Sequence, residues 1–125
     1  SLDGFSETTV EQVKRYLDEF DSSVTSLVID VRDNLGGQLS QARKILNLFF
    51  DKKTVLFQIK SHDKTVKIKG SDNKTRNYPV AVIINNSSAS ASEVVAACFK
   101  DNYNNVYIVR HMHLFYLPIP MTYPL

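Results

Sequence analysis

The most informative segment of this chain is Ser26-Leu27-Val28-Ile29-Asp30-Val31-Arg32-Asp33-Asn34-Leu35-Gly36-Gly37. Its first half is a short apolar run rich in β-branched residues, which predicts a buried strand. Its second half is rich in turn-forming residues and ends in paired glycines, which predicts a loop. Beyond the glycines, apolar residues recur at helical spacing at Leu39, Ala42, Ile45, Leu46 and Phe49. The segment therefore predicts a strand, a glycine loop and a helix in succession.

The same order of elements recurs later in the chain. Val80 to Ile84 predicts a second buried strand, which ends in Asn85-Asn86-Ser87-Ser88 and precedes a helix that begins near Ser90. Val106 to Val109 predicts a last strand. Strands that alternate with helices indicate an α/β fold with a largely parallel sheet. Residues 54–59 and 65–69 alternate around a polar turn and predict one antiparallel β-hairpin.

The amino-terminal part predicts a helix over residues 8–20. Val10, Val13, Leu17 and Phe20 recur at helical spacing. Thr8 and Glu11 have the spacing of a capping box, in which two side chains bond to amides at the helix start.

Composition predicts one globular domain and excludes several classes of partner. The 15 basic and 13 acidic residues give a charge of only +2, which does not predict binding to nucleic acid or to an anionic membrane. The basic residues between Lys60 and Arg76 predict a solvated face of the hairpin. Cys98, the one cysteine, cannot form an internal disulfide and is expected to be a buried, inert thiol. No apolar stretch approaches the ~20 residues that span a bilayer.

Ser90 is the candidate nucleophile, and two interpretations of it stand side by side. A serine between a buried strand and a helix lies where α/β sheets place ligand sites, and the helix amides there stabilise an anion. Ser90 followed by Glu93 also has the pattern of a simple capping box. In the same way Gly36-Gly37 either permits a tight turn or directs an amide into the same crevice as an oxyanion donor.

Two motifs resemble those of the carboxyl-terminal processing proteases, also called tail-specific proteases, of the S41 peptidase family. Residues 27–37 are similar to that family's "IDLRNNPGG" stretch, and Ser88-Ala89-Ser90-Ala91-Ser92-Glu93 resembles its nucleophile segment. The opening Phe5-Ser6-Glu7-Thr8-Thr9 resembles the entry to its catalytic domain. The resemblance runs over about residues 1 to 109. It implies a crotonase/ClpP-like core, with residues 1–110 as part of a peptidase domain and 111–125 as a diverged or irregular tail.

The resemblance also implies roles for individual residues. Ser90 corresponds to the nucleophile of a Ser-Lys endopeptidase that cleaves polypeptides near their carboxyl termini. The N–H of Ala91 and that of Gly36 or Gly37 correspond to the oxyanion hole, and Asp101 to an aspartate that supports the site. No metal or cofactor is implied. The family works outside the cytoplasm, often with a PDZ module that presents the substrate, and oligomers occur.

The sequence departs from the family at two positions. Leu35 stands where proline is common. More seriously, the family's general-base lysine follows the nucleophile by about 25 residues, where this chain has Phe115 or Tyr116 and no lysine after Lys100. Lys100 is expected to lie too far from Ser90, about 15 Å along a helix. His111 and His113 are weak candidates for a base or an H-x-H metal pair, so the base is unassigned and the chain is expected to be weakly active or inactive.

Two other functions fit the same pattern of elements. A non-catalytic descendant of the fold would bind peptides or apolar ligands, as the retinoid-binding modules that resemble this protease fold do. A crotonase-like acyl-CoA enzyme would also use paired oxyanion amides, although the serine-rich helix start would then have no purpose.

Overall fold

The structure is a computed structural model that describes residues 1–72 and 76–111. Its elements are α1 (Glu7–Phe20), β1 (Leu27–Asp30), α2 (Leu39–Leu46), β2 (Val55–Lys60), β3 (Thr65–Lys69), β4 (Val80–Ile84), α3 (Ala91–Asn102) and β5 (Val106–Arg110). The predicted α/β fold is confirmed, and each element lies within a few residues of its predicted place. Within the described ranges no helix is long and apolar enough to cross a bilayer.

The central sheet has the order β1-β4-β5, and both pairings are parallel. Ile29 lies beside Val82, and Val82 lies beside Ile108. Because all three strands run the same way, their carboxyl ends lie at one edge, and the loops after Asp30 and Ile84 meet there. The predicted hairpin is also confirmed, since β2 and β3 pair antiparallel in a separate sheet.

The helix after Ser90 is held by an aromatic cluster near its far end. Phe99 is fully buried, and its ring centroid lies 5.1 Å from that of Phe49 and 5.2 Å from that of Phe50. Tyr103 completes the cluster, with its centroid 5.4 Å from that of Phe99. The edge-on pairs of Phe99 with Phe49 and Phe50 add to the stabilisation from buried area. The cluster therefore anchors α3 against the segment that follows α2.

The predicted capping box at the start of α1 is wrong. The helix begins one residue before Thr8, and its cap is Ser6, whose hydroxyl accepts a hydrogen bond from Thr9 N–H at 3.2 Å. Ser6 has the extended dihedrals of an ordinary cap, φ −121° and ψ 170°. Because Ser6 already caps the helix at Glu7, Thr8 lies inside the first turn and cannot be the cap.

Arg76 is an exception to the predicted solvated basic face. Lys60, Lys64 and Lys67 are exposed as expected. The side chain of Arg76 is only 7% exposed and pairs with Asp21 at 2.9 Å, because it is directed back onto the end of α1 rather than along the hairpin.

Cys98 is buried, as predicted. Burial raises the pKa of its thiol to about 12. The neutral thiol form is therefore retained at physiological pH.

Candidate active site

Ser90 adopts a backbone conformation that an ordinary helix cap does not need. It is exposed and immediately precedes α3, with φ 54° and ψ −115°. Ser6, which caps α1, has extended dihedrals instead. A positive φ in a residue with a Cβ costs about 1–3 kcal/mol and is concentrated at functional sites. Capping alone therefore does not explain the geometry of Ser90.

Ser90 and Glu93 form a capping box in which only one of the two hydrogen bonds has good geometry. Ser90 N–H donates to Glu93 Oε2 at 2.8 Å. The Ser90 hydroxyl is placed toward the Glu93 amide, but the contact does not meet the geometry of a full hydrogen bond. The carboxylate thus holds the backbone of Ser90, while its hydroxyl stays accessible.

The diglycine loop lies directly against the Ser90 loop. Gly36 has φ +106°, and a Cβ built on it would lie 2.9 Å from both Ala89 O and Ser90 Cβ. Gly37 has φ +140°, and its Cβ would lie 2.7 Å from Phe5 O. Both positions therefore require glycine, and Gly36 is the point at which the two loops touch.

The two glycine amides have different environments. Gly36 N–H donates to Asn34 Oδ1 at 2.8 Å, so it is already bonded. Neither Gly37 N–H nor Ala91 N–H makes a hydrogen bond within the described part of the chain. Ala91 is the first residue of α3, where the helix leaves its amides without internal partners. Two donors are thus available, one at the start of α3 and one a single residue beyond the contact between the two loops.

Buried polar groups that the sequence analysis did not single out join the two loops. Asn34 and Ser92 are both fully buried, and Ser92 Oγ donates to Asn34 O at 2.8 Å. Ser88 Oγ donates to Val31 O at 2.7 Å. The available signal for Ser92 was its spacing, because it shares a helical face with the buried Val95 and Phe99.

Asn85 is a further linking residue. Its Oδ1 accepts from Asp33 N–H at 3.0 Å and from Ser87 N–H at 3.1 Å. Its Nδ2 donates to Asp33 Oδ1 at 2.9 Å. The loops that follow β1 and β4 are therefore tied at their bases as well as at Gly36.

Other predicted site residues do not lie beside Ser90. Asp101 is exposed in the last turn of α3, about 17 Å along the helix axis from Ser90, so direct contact is excluded. Lys100 is also exposed. His111 follows β5 at the same sheet edge, and its N–H donates to Ile84 O at 2.7 Å. His113, Phe115 and Tyr116 lie outside the described residues.

A groove of about 700 Å³ runs along the β5 side of the Ser90 loop. Ser88 and Glu93, which flank Ser90, contribute to its wall, together with Ile84, Ala96 and Ile108. In residues 1–72 and 76–111, no group of three or more His, Cys, Asp or Glu side chains could hold a metal ion. The groove thus reaches the neighbours of Ser90 in the chain, while Ser90 itself does not line it.

An exposed serine on a strained strand-to-helix turn, next to the amide that begins a helix, is one arrangement that serine hydrolases use to attack carbonyl groups. The profile of Peptidase family S41 matches residues 1–110. The chain belongs to this family. It is 32% identical over 106 residues to a probable CtpA-like serine protease of Staphylococcus haemolyticus strain JCSC1435, covering 82% of this chain and 21% of the relative.

Further similarity agrees with the family assignment. The chain is 38% identical over 104 residues to the carboxy-terminal processing protease CtpB of Bacillus subtilis strain 168, covering 81% of this chain and 22% of the relative. Among solved structures, a photosystem II D1 C-terminal processing protease matches with a TM-score of 0.74 and 26% identity, covering 86% of this chain and 28% of that one. The chain spans about a fifth of the length of these curated relatives.

Proposed function

We propose that this chain carries the nucleophile and oxyanion hole of a serine endopeptidase of the Ser-Lys type that cleaves polypeptides near their carboxyl termini. The observation that carries the proposal is the strained, exposed Ser90 in contact with the diglycine loop. Names of relatives such as the carboxy-terminal processing protease CtpB support the substrate class.

In this mechanism, Ser90 Oγ attacks the scissile carbonyl carbon and its proton passes to a general base. The carbonyl oxygen becomes an oxyanion that accepts hydrogen bonds from Gly37 N–H and Ala91 N–H. We use Gly37 rather than Gly36 because the Gly36 amide already donates to Asn34. Preorganised donors of this kind contribute about 10²–10³-fold each to the rate. The positive end of the α3 dipole adds to the same stabilisation.

The proposal assigns the general base to a residue outside this sequence. Lysine suits that role because burial favours its neutral form, which accepts the serine proton near neutral pH. The sequence has no lysine after Lys100. Residues 1–110 are then the part of a peptidase core that supplies nucleophile and oxyanion donors, and the chain by itself is weakly active or inactive. Asp101 can support the site only through α3.

Labelling with a fluorophosphonate tests the proposal. The probe forms an Oγ–P bond, releases fluoride and needs the serine proton removed. We expect little labelling of the 125-residue chain and labelling at Ser90 in a longer protein that also contains the family's lysine segment. Ser90→Ala should abolish labelling, whereas Ser87→Ala, in the same exposed loop, should not. Labelling at another serine would refute the assignment.

A non-catalytic, peptide-binding function is the second candidate, and a full parental sequence without a lysine downstream of Ser90 would favour it. It requires peptide binding by a longer natural protein whose Ser90 stays unlabelled. The remaining parts of the proposal follow the family resemblance: a PDZ module in the parent chain, oligomers, and a location outside the cytoplasm in the envelope, periplasm or secreted fraction. Nucleic acid is not a proposed partner.

A further inference from the structure

We propose that Asn34 is a positioning residue that orients the Gly37 amide and sets its distance from the Ser90 loop. The inference deepens the function proposed above and rests on it. It concerns a fully buried polar side chain that touches no solvent. Such a group is costly to bury unless its hydrogen bonds are satisfied.

The Asn34 side chain is bonded at both ends. Its Nδ2 donates to Leu2 O at 2.7 Å, and its Oδ1 accepts from Gly36 N–H at 2.8 Å. A peptide chain turns only about two soft dihedrals per residue, so fixing the Gly36 amide restricts where the next amide points. That next amide belongs to Gly37. Phe5 supports the same loop, since its N–H donates to Gly36 O at 3.1 Å.

The Asn34 backbone carbonyl reaches the other loop. Its oxygen accepts from Ala89 N–H at 3.1 Å and from Ser92 Oγ at 2.8 Å. Ala89 precedes Ser90, and Ser92 follows it by two residues. Asn34 therefore makes two hydrogen bonds through its side chain, to Leu2 and Gly36, and its backbone carbonyl accepts two more from residues on either side of Ser90. Both proposed oxyanion donors are held in place relative to it.

The chemistry of the two partners explains why an amide is needed here. Leu2 O requires a donor and Gly36 N–H requires an acceptor, and a neutral amide supplies both. An ionised aspartate would supply only acceptors and would face Leu2 O with a negative charge. A protonated aspartate would again supply both, because its O–H donates to Leu2 O while its carbonyl oxygen accepts from Gly36 N–H. Burial and the facing carbonyl raise the pKa of such a carboxyl.

Asn34→Asp therefore gives a test with a pH signature. The probe is a peptide boronic acid, applied to the longer protein that also contains the family's lysine segment. Ser90 Oγ forms a bond to boron, the serine proton goes to solvent, and one oxygen of the tetrahedral boronate occupies the oxyanion position. We expect boronate affinity of Asn34→Asp to fall about 100-fold at pH 8, similar to loss of an oxyanion donor. At pH 5 its affinity should return close to that of the wild type measured at the same pH.

Tyr103→Phe is the matched control for stability. It removes one hydrogen bond, from Tyr103 OH to Tyr78 O at 2.8 Å, far from Ser90. We expect its melting temperature to fall while its boronate affinity stays that of the wild type at both pH values. Suppose that Asn34→Asp and Tyr103→Phe lower the melting temperature equally and also lower boronate affinity equally. Asn34 would then act only through stability, and the inference would be refuted.

Ser92→Ala provides a second test should Asn34→Asp not fold at pH 8. It removes the hydroxyl bond to Asn34 O and leaves the Gly36 bond in place. We expect affinity to fall roughly tenfold, because a displacement below 1 Å costs less than a lost donor. Unchanged affinity would overturn the inference. Absence of a boronate adduct at Ser90 in the wild type would overturn the proposed function and the inference together, whereas wild-type affinity in Asn34→Asp at pH 8 would overturn the inference alone.

Discussion

Gly36→Ala should damage both the stability and the candidate site, because it adds a methyl group where the two loops touch. The added Cβ would lie 2.9 Å from Ala89 O and from Ser90 Cβ, against 3.4 Å or more in ordinary contact. A positive φ costs a residue with a Cβ about 1–3 kcal/mol, and overpacking costs about 1–3 kcal/mol more. We therefore expect the free energy of unfolding to fall by about 2–6 kcal/mol. A domain of this size has about 5–15 kcal/mol in total.

The steric effect also predicts a loss of binding at Ser90. Relief of the contact moves the loops apart by about half an ångström, and a 1 Å misplacement can cost about 100-fold, so we expect peptide boronate affinity to fall roughly tenfold. Urea unfolding and boronate titration measure the two effects. Gly4→Ala is the control, since the nearest atom to its Cβ would be Gly36 O at 3.7 Å. The reasoning is refuted if Gly36→Ala matches Gly4→Ala in both measurements.

Three further predictions concern strain, a buried charge and the thiol. Ser90→Gly should lose boronate binding yet raise the free energy of unfolding by about 1 kcal/mol, because glycine accepts a positive φ; a destabilised variant in urea titration would contradict this. Arg76→Ala should destabilise by about 3 kcal/mol, since the carboxylate of Asp21 loses a buried partner, whereas Lys52→Ala at an exposed ion pair should change urea stability little. Cys98 should react with a thiol reagent at pH 8 far more slowly in the folded than in the unfolded chain. The pKa of its thiol is about 12 in the folded chain against 9.0 in the unfolded chain, so between those pH values only the unfolded thiol loses its proton. The free energy of unfolding should therefore fall as pH rises from 9 to 12, and it should fall less in Cys98→Ala.

The strands and helices could be predicted because local pattern determines them. The β-branched runs at residues 27–30 and 80–84 are short and lie between turn formers, so their strand character was clear from the sequence. The cap of α1 was harder to assign, because Ser6 and Thr8 both belong to residue types that cap helices well. The choice between them depends on the backbone conformation of the residues before the helix, which local pattern does not give.

The geometry of the candidate site could not be predicted from local sequence pattern, because it depends on contacts between residues far apart in the sequence. The sequence named Ser90, Gly36, Gly37 and Ala91, but it could not distinguish the bonded Gly36 amide from the available Gly37 amide. That distinction depends on Asn34 Oδ1, and an asparagine before two glycines is equally typical of a simple turn. Likewise, the pattern of Ser90 and Glu93 predicts a cap of ordinary geometry, and only the structure gives the positive φ.

The contacts around Ser90 maintain its strained φ. Left to its own preference, a serine at this position would take the extended dihedrals that Ser6 adopts before α1. Ser90 is held away from them by Glu93 on its own N–H and by Asn34, which fixes Ala89 before it and Ser92 after it. The strain is thus local, while the bonds that maintain it come from two different loops. A serine whose only task was to cap α3 would need neither the strain nor Gly36 against its Cβ, and for this reason the backbone geometry favours the nucleophile over the cap.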